Sequence, residues 1–340
     1  MLRFDDVTVR YPCGKTFREV LDHIDLDIQP GEFVTVIGQT GSGKTTLLRL
    51  ALGQERPAAG RVFMDGKEVR EPDRQRGYVP QKYSLFPDKT VLDNVTFGLE
   101  VQRFSLFGRL TPAFFRARRR FRQEALDQLA RMGLRRSDAS KYPDELSGGM
   151  QQRVAIAQAL IARPRILLMD EAFSALDPHT RAGMQDLLLE LWRSTGMTIL
   201  FVTHNIAEAV YLGTRVVALA REHDTDLGGS HIALDLQMPD SAGRHFKQSS
   251  EFARLVKYVE EAMEPRARLT GSLPPSEPTG LVDMIVQQRR GREVLLADAV
   301  PGVPAVAVDH VKEFMRQHAS QRPSIQGFAS RRVNRQARGG

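Results

Sequence analysis

One cysteine in 340 residues, Cys13, excludes an internal disulfide, and a lone thiol brings no second ligand for a metal. A small side chain in a loop is the reading that remains. Long apolar runs are also missing: no stretch approaches the ~20 residues that span a bilayer. The opening Met1-Leu2-Arg3-Phe4-Asp5-Asp6 lacks the apolar stretch of a secretory leader. A cytosolic chain is therefore expected. No internal repeat is visible. Charged residues at 26% and hydrophobic ones at 41% suit a substantial core, in one large domain with an appendage or in two ordinary domains.

The net charge of +7 is unevenly placed. Residues 103–122 hold seven Arg and no acid, and residues 265–340 hold twelve basic and six acidic residues, which leaves a net −6 for the rest. Basicity is thus an attribute of two attachments. A nucleic-acid partner, which the basic tail could serve through phosphate contacts, is disfavoured by the acidic body. In residues 103–122 the arginines interleave with Phe104, Leu106, Phe107, Phe114, Phe115 and Phe121. Contact with anionic lipid head groups or with a partner's cytosolic loops is one expectation, and a solvated basic helix is the other.

Ile24, Leu26 and Ile28 alternate with Asp25 and Asp27, a half-buried strand in an antiparallel region that ends at Pro30-Gly31. Phe33 to Ile37 is a continuous apolar run, as in a buried parallel strand, and it feeds a loop and a helix over 45–52 capped by Gly53. A hairpin is expected over 61–69 around Asp65-Gly66, and a strand at 77–79. From about 85 to 162 the pattern is helical, clearest over 123–132 and 151–161. Strands at 166–169, 198–202 and 216–219 then alternate with helices at 180–192 and 206–212. Strand alternating with helix argues an α/β fold with a parallel sheet. Composition shifts to Pro, Ser, Thr and Gly between 264 and 280, and 329–340 has a disordered composition.

The chemistry begins at Gly38-Gln39-Thr40-Gly41-Ser42-Gly43-Lys44-Thr45. Glycines let the backbone curl so that N–H groups aim at phosphate oxygens, and the helix that follows adds its positive end. Lys44 brings a mobile charge to the β- and γ-phosphates, and Thr45 a hydroxyl for Mg²⁺. Ile166 to Glu171 is an apolar strand ending in two carboxylates. Taken alone it would equally be a strand with an acidic turn. Beside a phosphate loop, Asp170 suits Mg²⁺, mostly through water, and Glu171 a general base for the attacking water. Gln81 could reach either the metal or that water, while His204 closes a strand and could donate to the γ-phosphate. A solitary His there would be a structural group. Leu146-Ser147-Gly148-Gly149-Met150-Gln151-Gln152 repeats the recipe of a hydroxyl, bare N–H groups and a helix start, in a chain that already has a phosphate loop.

These five segments, in this order, resemble the ATP-binding subunits of ABC transporters over roughly the first two-thirds of the chain. A kinase sharing only the glycine loop would leave 146–152 unexplained. The resemblance implies a P-loop NTPase core with a parallel sheet, an N-terminal antiparallel β subdomain and an inserted α-helical subdomain at about 85–162. An ATP-binding domain at 1–264 follows from it, and composition places a linker at 265–280 and a partly disordered C-terminal extension at 281–340 after it. It also implies that Ser147, Gly148, Gly149 and Gln151 bind ATP held by a second copy, with Asp177 in the loop that crosses the interface. Thr46 joins the glycine loop at the nucleotide, and Tyr11 stacks on adenine, a strand-end Tyr being the alternative. Gln81, Glu171 and His204 are the catalytic set; Thr45, Gln81 and Asp170 are the Mg²⁺ set. Partners implied are permease subunits, a second ATP-binding subunit and a periplasmic solute-binding protein, with the chain peripheral to the cytoplasmic face of the inner membrane. Residues 169–181 and 90–97 are similar to importers of nitrate, sulfonate and taurine, although Ala172 and Ser174 stand where that group has Pro and Gly.

Overall fold

A computed structural model describes residues 1–263 except 15, 83, 106–107, 109–110, 222–227 and 239–243. The linker and the extension expected beyond them lie outside the described residues. The N-terminal strands β1 (Leu2–Cys13) and β2 (Thr16–Ile28) pair antiparallel, and exposed Cys13 ends β1 at their turn. In β2, Ile24, Leu26 and Ile28 are buried while Asp25 and Asp27 are exposed, as the alternation requires.

Next comes β3 (Phe33–Gly38), buried throughout, which runs into α1 (Lys44–Leu52). Gly53 closes α1 in the left-handed region at φ 75°. The hairpin β4 (Ala59–Met64) and β5 (Lys67–Glu68) turns at Asp65 and Gly66, both at positive φ, as a twist-matched two-residue turn demands. β6 is Arg76–Val79. Three long helices follow: α2 (Val91–Arg103), α3 (Pro112–Arg131) and α4 (Gly148–Leu160). The alternating portion is β7 (Ile166–Asp170), α5 (Pro178–Thr195), β8 (Thr198–Thr203), α6 (Ile206–Leu212) and β9 (Arg215–Arg221). Beyond the expected elements lie β10 (Ser230–Gln237) and two more helices, α7 (Arg244–Lys247) and α8 (Ser250–Met263).

The described strands form one sheet of ten in the order β5-β4-β1-β2-β10-β9-β3-β8-β7-β6. From β9 to β6 the pairing is parallel, whereas β10 runs antiparallel to β9 and meets β2 at Ser230 and Leu21. The apolar runs are unbroken because both faces of the parallel strands are covered. In β7, Leu167 and Met169 join the core under α2 to α5, while Ile166 and Leu168 join the core around α1 and the antiparallel strands. A third cluster, with Ile37, Val216 and Ala218, is covered by α6 and α8.

Thr111 and Pro112 start α3 eleven positions before the stretch whose periodicity is clearest. The Thr111 hydroxyl accepts from Phe114 N at 3.4 Å, and Pro112 fills the first helical position. The arginines of this helix are not all a solvated face. Arg118 meets Glu100 at 3.0 Å and Asp93 at 3.4 Å, and Arg122 meets Asp93 at 3.0 Å, so both bind α3 to α2. Arg116, Arg119 and Phe115 are exposed.

Candidate functional site

The parallel strands deliver their carboxyl ends to one edge, where an open α/β sheet presents its ligand crevice. There β3 ends at Gly38, β8 at Thr203 followed by His204, β7 at Asp170 followed by Glu171, and β6 at Val79, two residues before Gln81. In the sheet order β3, β8, β7 and β6 are successive neighbours, so sequence-distant groups share one rim.

The glycine loop is shaped for a ligand that approaches backbone. A Cβ on Gly38 would sit 2.3 Å from Ser42 Oγ, and one on Gly43, at φ 85°, would sit 2.6 Å from a methyl of Leu21. Gly43 is also the N-cap of α1 and offers no side-chain acceptor, which leaves the first N–H groups of the helix open to an anion. Ser42 Oγ is buried with no hydrogen-bond partner among the described residues. Lys44, 5% exposed, donates to Gly38 O at 2.8 Å and Gln39 O at 3.0 Å. Burial lowers its pKa, and the charges of Glu171 and Asp170 oppose that shift. An unpartnered hydroxyl, a buried ammonium and a helix start fit a polyphosphate. Thr46 and Ser42 are buried, while Gln39, Thr40 and Gly41 form the exposed lip.

Thr45 Oγ1 lies 3.3 Å from Asp170 Oδ1, a pair of hard oxygen donors suited to Mg²⁺. No group of three His, Cys, Asp or Glu side chains among the described residues could hold a metal alone. A cation here would therefore need phosphate and water oxygens as well, the usual way Mg²⁺ is bound. Burial pushes the Asp170 carboxyl up, while its bond with Thr45 works the other way.

Glu171 is the junction of the rim. Its backbone is left-handed, at φ 44°, and its N–H donates to Val202 O at 2.9 Å, which turns the carboxylate away from the strand it follows. Gln81 Nε2 donates to Glu171 Oε2 at 3.2 Å, and His204 Nδ1 lies 3.0 Å from the same oxygen. The three residues expected to act together are thus in contact. Ser174, where Gly was the family pattern, donates its hydroxyl to Glu171 O at 2.9 Å and stiffens the turn that carries the carboxylate.

Ser147 caps α4, accepting from Met150 N at 3.3 Å, and both Ser147 and Gly148 are exposed. A Cβ on Gly149 would stand 2.4 Å from Thr180 Cγ2, so the turn is pressed against α5. Gln151 is turned inward: its amide donates to Pro143 O at 2.7 Å and Leu146 O at 3.3 Å, holding the turn that presents Ser147. Asp177 caps α5 by accepting from His179 N and Thr180 N at 3.1 and 3.0 Å, and the hydrogen bonds from Thr180 lower its pKa. No hydrogen bond among the described residues joins Ser147, Gly149 or Asp177 to residues 38–45. Tyr11 pairs with Arg18 across the β1–β2 ladder, and its buried hydroxyl lies beside Glu55 and Thr46. Burial raises its pKa.

Two residues of the site were not singled out by motif. Arg181 donates to Phe173 O, Ser174 O and Leu176 O at 3.1, 3.3 and 2.8 Å, clamping the loop between Glu171 and Asp177. Arg221, at the end of β9, donates to Gly41 O at 2.8 Å and braces the glycine loop.

Residues 21–174 match the ABC transporter family model. An uncharacterized ABC transporter ATP-binding protein of Methanocaldococcus jannaschii is 44% identical over 64% of this chain and 77% of its own length. The aliphatic sulfonates import ATP-binding protein SsuB 1 of Xanthomonas axonopodis pv. citri is 43% identical over 69% of this chain and 91% of its own. The nitrate import ATP-binding protein NrtD of a Synechocystis strain is 40% identical over 71% and 85%. Among solved structures, a dimeric ATP-binding cassette in a post-hydrolysis state, bound to ADP and Pi, is similar with a TM-score of 0.58 and 31% identity, over 71% of this chain and all of that one.

Proposed function

The chain belongs to the ABC transporter family as an ATP-binding, ATP-hydrolysing subunit, and from that premise we propose that it powers a separate membrane permease importing a small anion such as nitrate, a sulfonate or taurine. One observation supports the mechanism: the helix start at Ser147 and Gly148 is exposed and, among the described residues, shares no hydrogen bond with the glycine loop, as expected if it serves ATP held by a second copy. Two copies related by a two-fold axis bring each loop to the other's Ser147 and Gly149. The dimeric cassette among the similar structures supports this arrangement.

In this reading the N–H groups of 39–45 and the Lys44 ammonium bind the β- and γ-phosphates, and Tyr11, beside α1, stacks on adenine. Mg²⁺, held by Thr45, Asp170 and Gln81, would polarise the phosphate oxygens. Glu171 accepts a proton from the attacking water, His204 donates to the γ-phosphate, and Gln81 orients the water. Asp177 and its loop cross the interface. Closure on ATP and opening after hydrolysis move the helices α2 to α4, which a permease would grip. In this reading the permease is a separate chain and this one sits peripherally at its cytoplasmic face; no described helix is long and apolar enough to cross a membrane. A small anion is supported by the relatives named for sulfonate and nitrate import.

Recovering the tagged chain from its native membrane in mild detergent tests this. A co-purifying permease together with a solute-binding protein specific for such an anion is the expected result. Recovery with nucleic acid or a soluble assembly would overturn it.

A further inference from the structure

Behind the catalytic rim, a buried polar chain runs from the corner that carries His204 to the C-terminal helices. Thr203, 2% exposed, donates its hydroxyl to Glu208 Oε2 at 2.6 Å and accepts from Asn205 N at 3.1 Å. Asn205 caps α6 by accepting from Glu208 N at 3.0 Å, so the residues on both sides of His204 are fixed by one turn of helix. Glu208, 6% exposed, accepts through Oε1 from Gln185 Nε2 at 2.9 Å. The other end of that amide, Gln185 Oε1, accepts from Lys247 Nζ at 2.6 Å. Lys247 Nζ also lies 3.7 Å from the centre of the Tyr211 ring, whose hydroxyl donates to Asp186 at 2.6 Å.

The polarity of this chain has a direction. Gln185 can donate to Glu208 only with its amide oxygen turned away, and the ammonium of Lys247 stands where that oxygen points. A cation at one end and a carboxylate at the other thus select one of the two amide orientations, in a place where an unsatisfied group would be penalised. Lys247 is itself held from outside. Ser249 accepts from Phe252 N at 3.1 Å and donates to Phe246 O at 2.8 Å, the Phe246 and Phe252 rings meet edge to face at 5.4 Å, and α8 is seated on α6 through Leu255 and Val259.

We propose that Lys247 is a positioning residue for ATP hydrolysis: through Gln185, Glu208 and Thr203 it fixes the corner that sets His204 against Glu171. This rests on the assignment of His204 and Glu171 to the reaction given above. The path from Lys247 runs through Gln185 and not through either nucleotide loop, so its loss is expected to act on turnover and not on binding.

The test measures steady-state ATPase activity, affinity for a fluorescent ATP analogue and Tm on the full chain. Lys247→Met is expected to lower kcat about fivefold, with ATP affinity changed less than about twofold. Lys247→Arg, which keeps a cationic donor, is expected to restore more than half the rate. Gln185→Ala is expected to lower kcat similarly, and the double variant Lys247→Met/Gln185→Ala to fall no further, because both break one chain. Unchanged kcat in Lys247→Met overturns the proposal, whatever happens to Tm. So does a double variant whose losses multiply. Loss of hydrolysis in His204→Ala is the control for the underlying reading: full activity there would sink the role of His204, separately from the role of Lys247.

Discussion

Glu171 sits in a backbone conformation that a side chain other than glycine adopts at a cost of about 1–3 kcal/mol, held by Val202 O and by the hydroxyl of Ser174. That strain presents its carboxylate to Gln81 and His204. Glu171→Gln is expected to keep ATP binding within about twofold, to lower turnover by about 10²- to 10⁴-fold and to trap a closed dimer. Full turnover in single-turnover assays would remove Glu171 from the chemistry. Asp170 carries a different burden. Its pKa is raised by burial, so folding loses stability as pH climbs from the ordinary carboxylate value to the raised one, and the full loss applies above it. Asp170→Asn should therefore raise the Tm of nucleotide-free protein at neutral pH, lose that gain in acid, and abolish Mg²⁺-dependent hydrolysis. A lower Tm at neutral pH would contradict this sign. Asp170 and Glu171 drew meaning from the phosphate loop read beside them, and Gln81 and His204 from the resemblance of the segments around them to one family. Arg181 and Arg221 were not: they act on backbone carbonyls, and Arg221 reaches one 180 positions away.

Among the elements, the inserted helices show how charge that looks solvent-facing in sequence becomes structural. Arg118 and Arg122 meet acids on α2, 18 to 29 positions earlier, a pairing that composition does not reveal. These pairs are partly exposed and so are worth about 1 kcal/mol or less each. Arg118→Ala should lower Tm by no more than about 4 °C, and Arg119→Ala should leave it unchanged, by calorimetry. Equal losses in both would mean that the helix is stabilised by its charge in general and not by the α2 contacts. Periodicity gave α6 to the residue and most strands to within a residue or two, since both measure burial directly. It did not give α8 or β10. Phe252, Leu255, Val256 and Val259 do recur at helical spacing, and Ile232, Leu234 and Leu236 alternate, but neither run lies next to a site motif. The start of α3 was written in Thr111-Pro112 and hidden by the surrounding arginines.

For the whole molecule, the alternation of strands and helices made a parallel sheet readable, whereas its strand order did not follow from local pattern. That β10 bridges β9 to the antiparallel strands, and that β8 lies between β3 and β7, depends on pairings between segments far apart in the chain. Those pairings gather Gly38, Gln81, Glu171 and His204 on one rim, while Ser147 caps α4 and, among the described residues, shares no hydrogen bond with the glycine loop. The central claim is that a working ATP site needs two chains. The most direct test follows ATPase activity per chain through a dilution series, with mass measured at each concentration. The account predicts that activity per chain falls as dimers dissociate, and that Ser147→Arg abolishes it at every concentration. Constant activity per chain in samples shown to be monomeric, with Ser147→Arg still at the full rate, would contradict it.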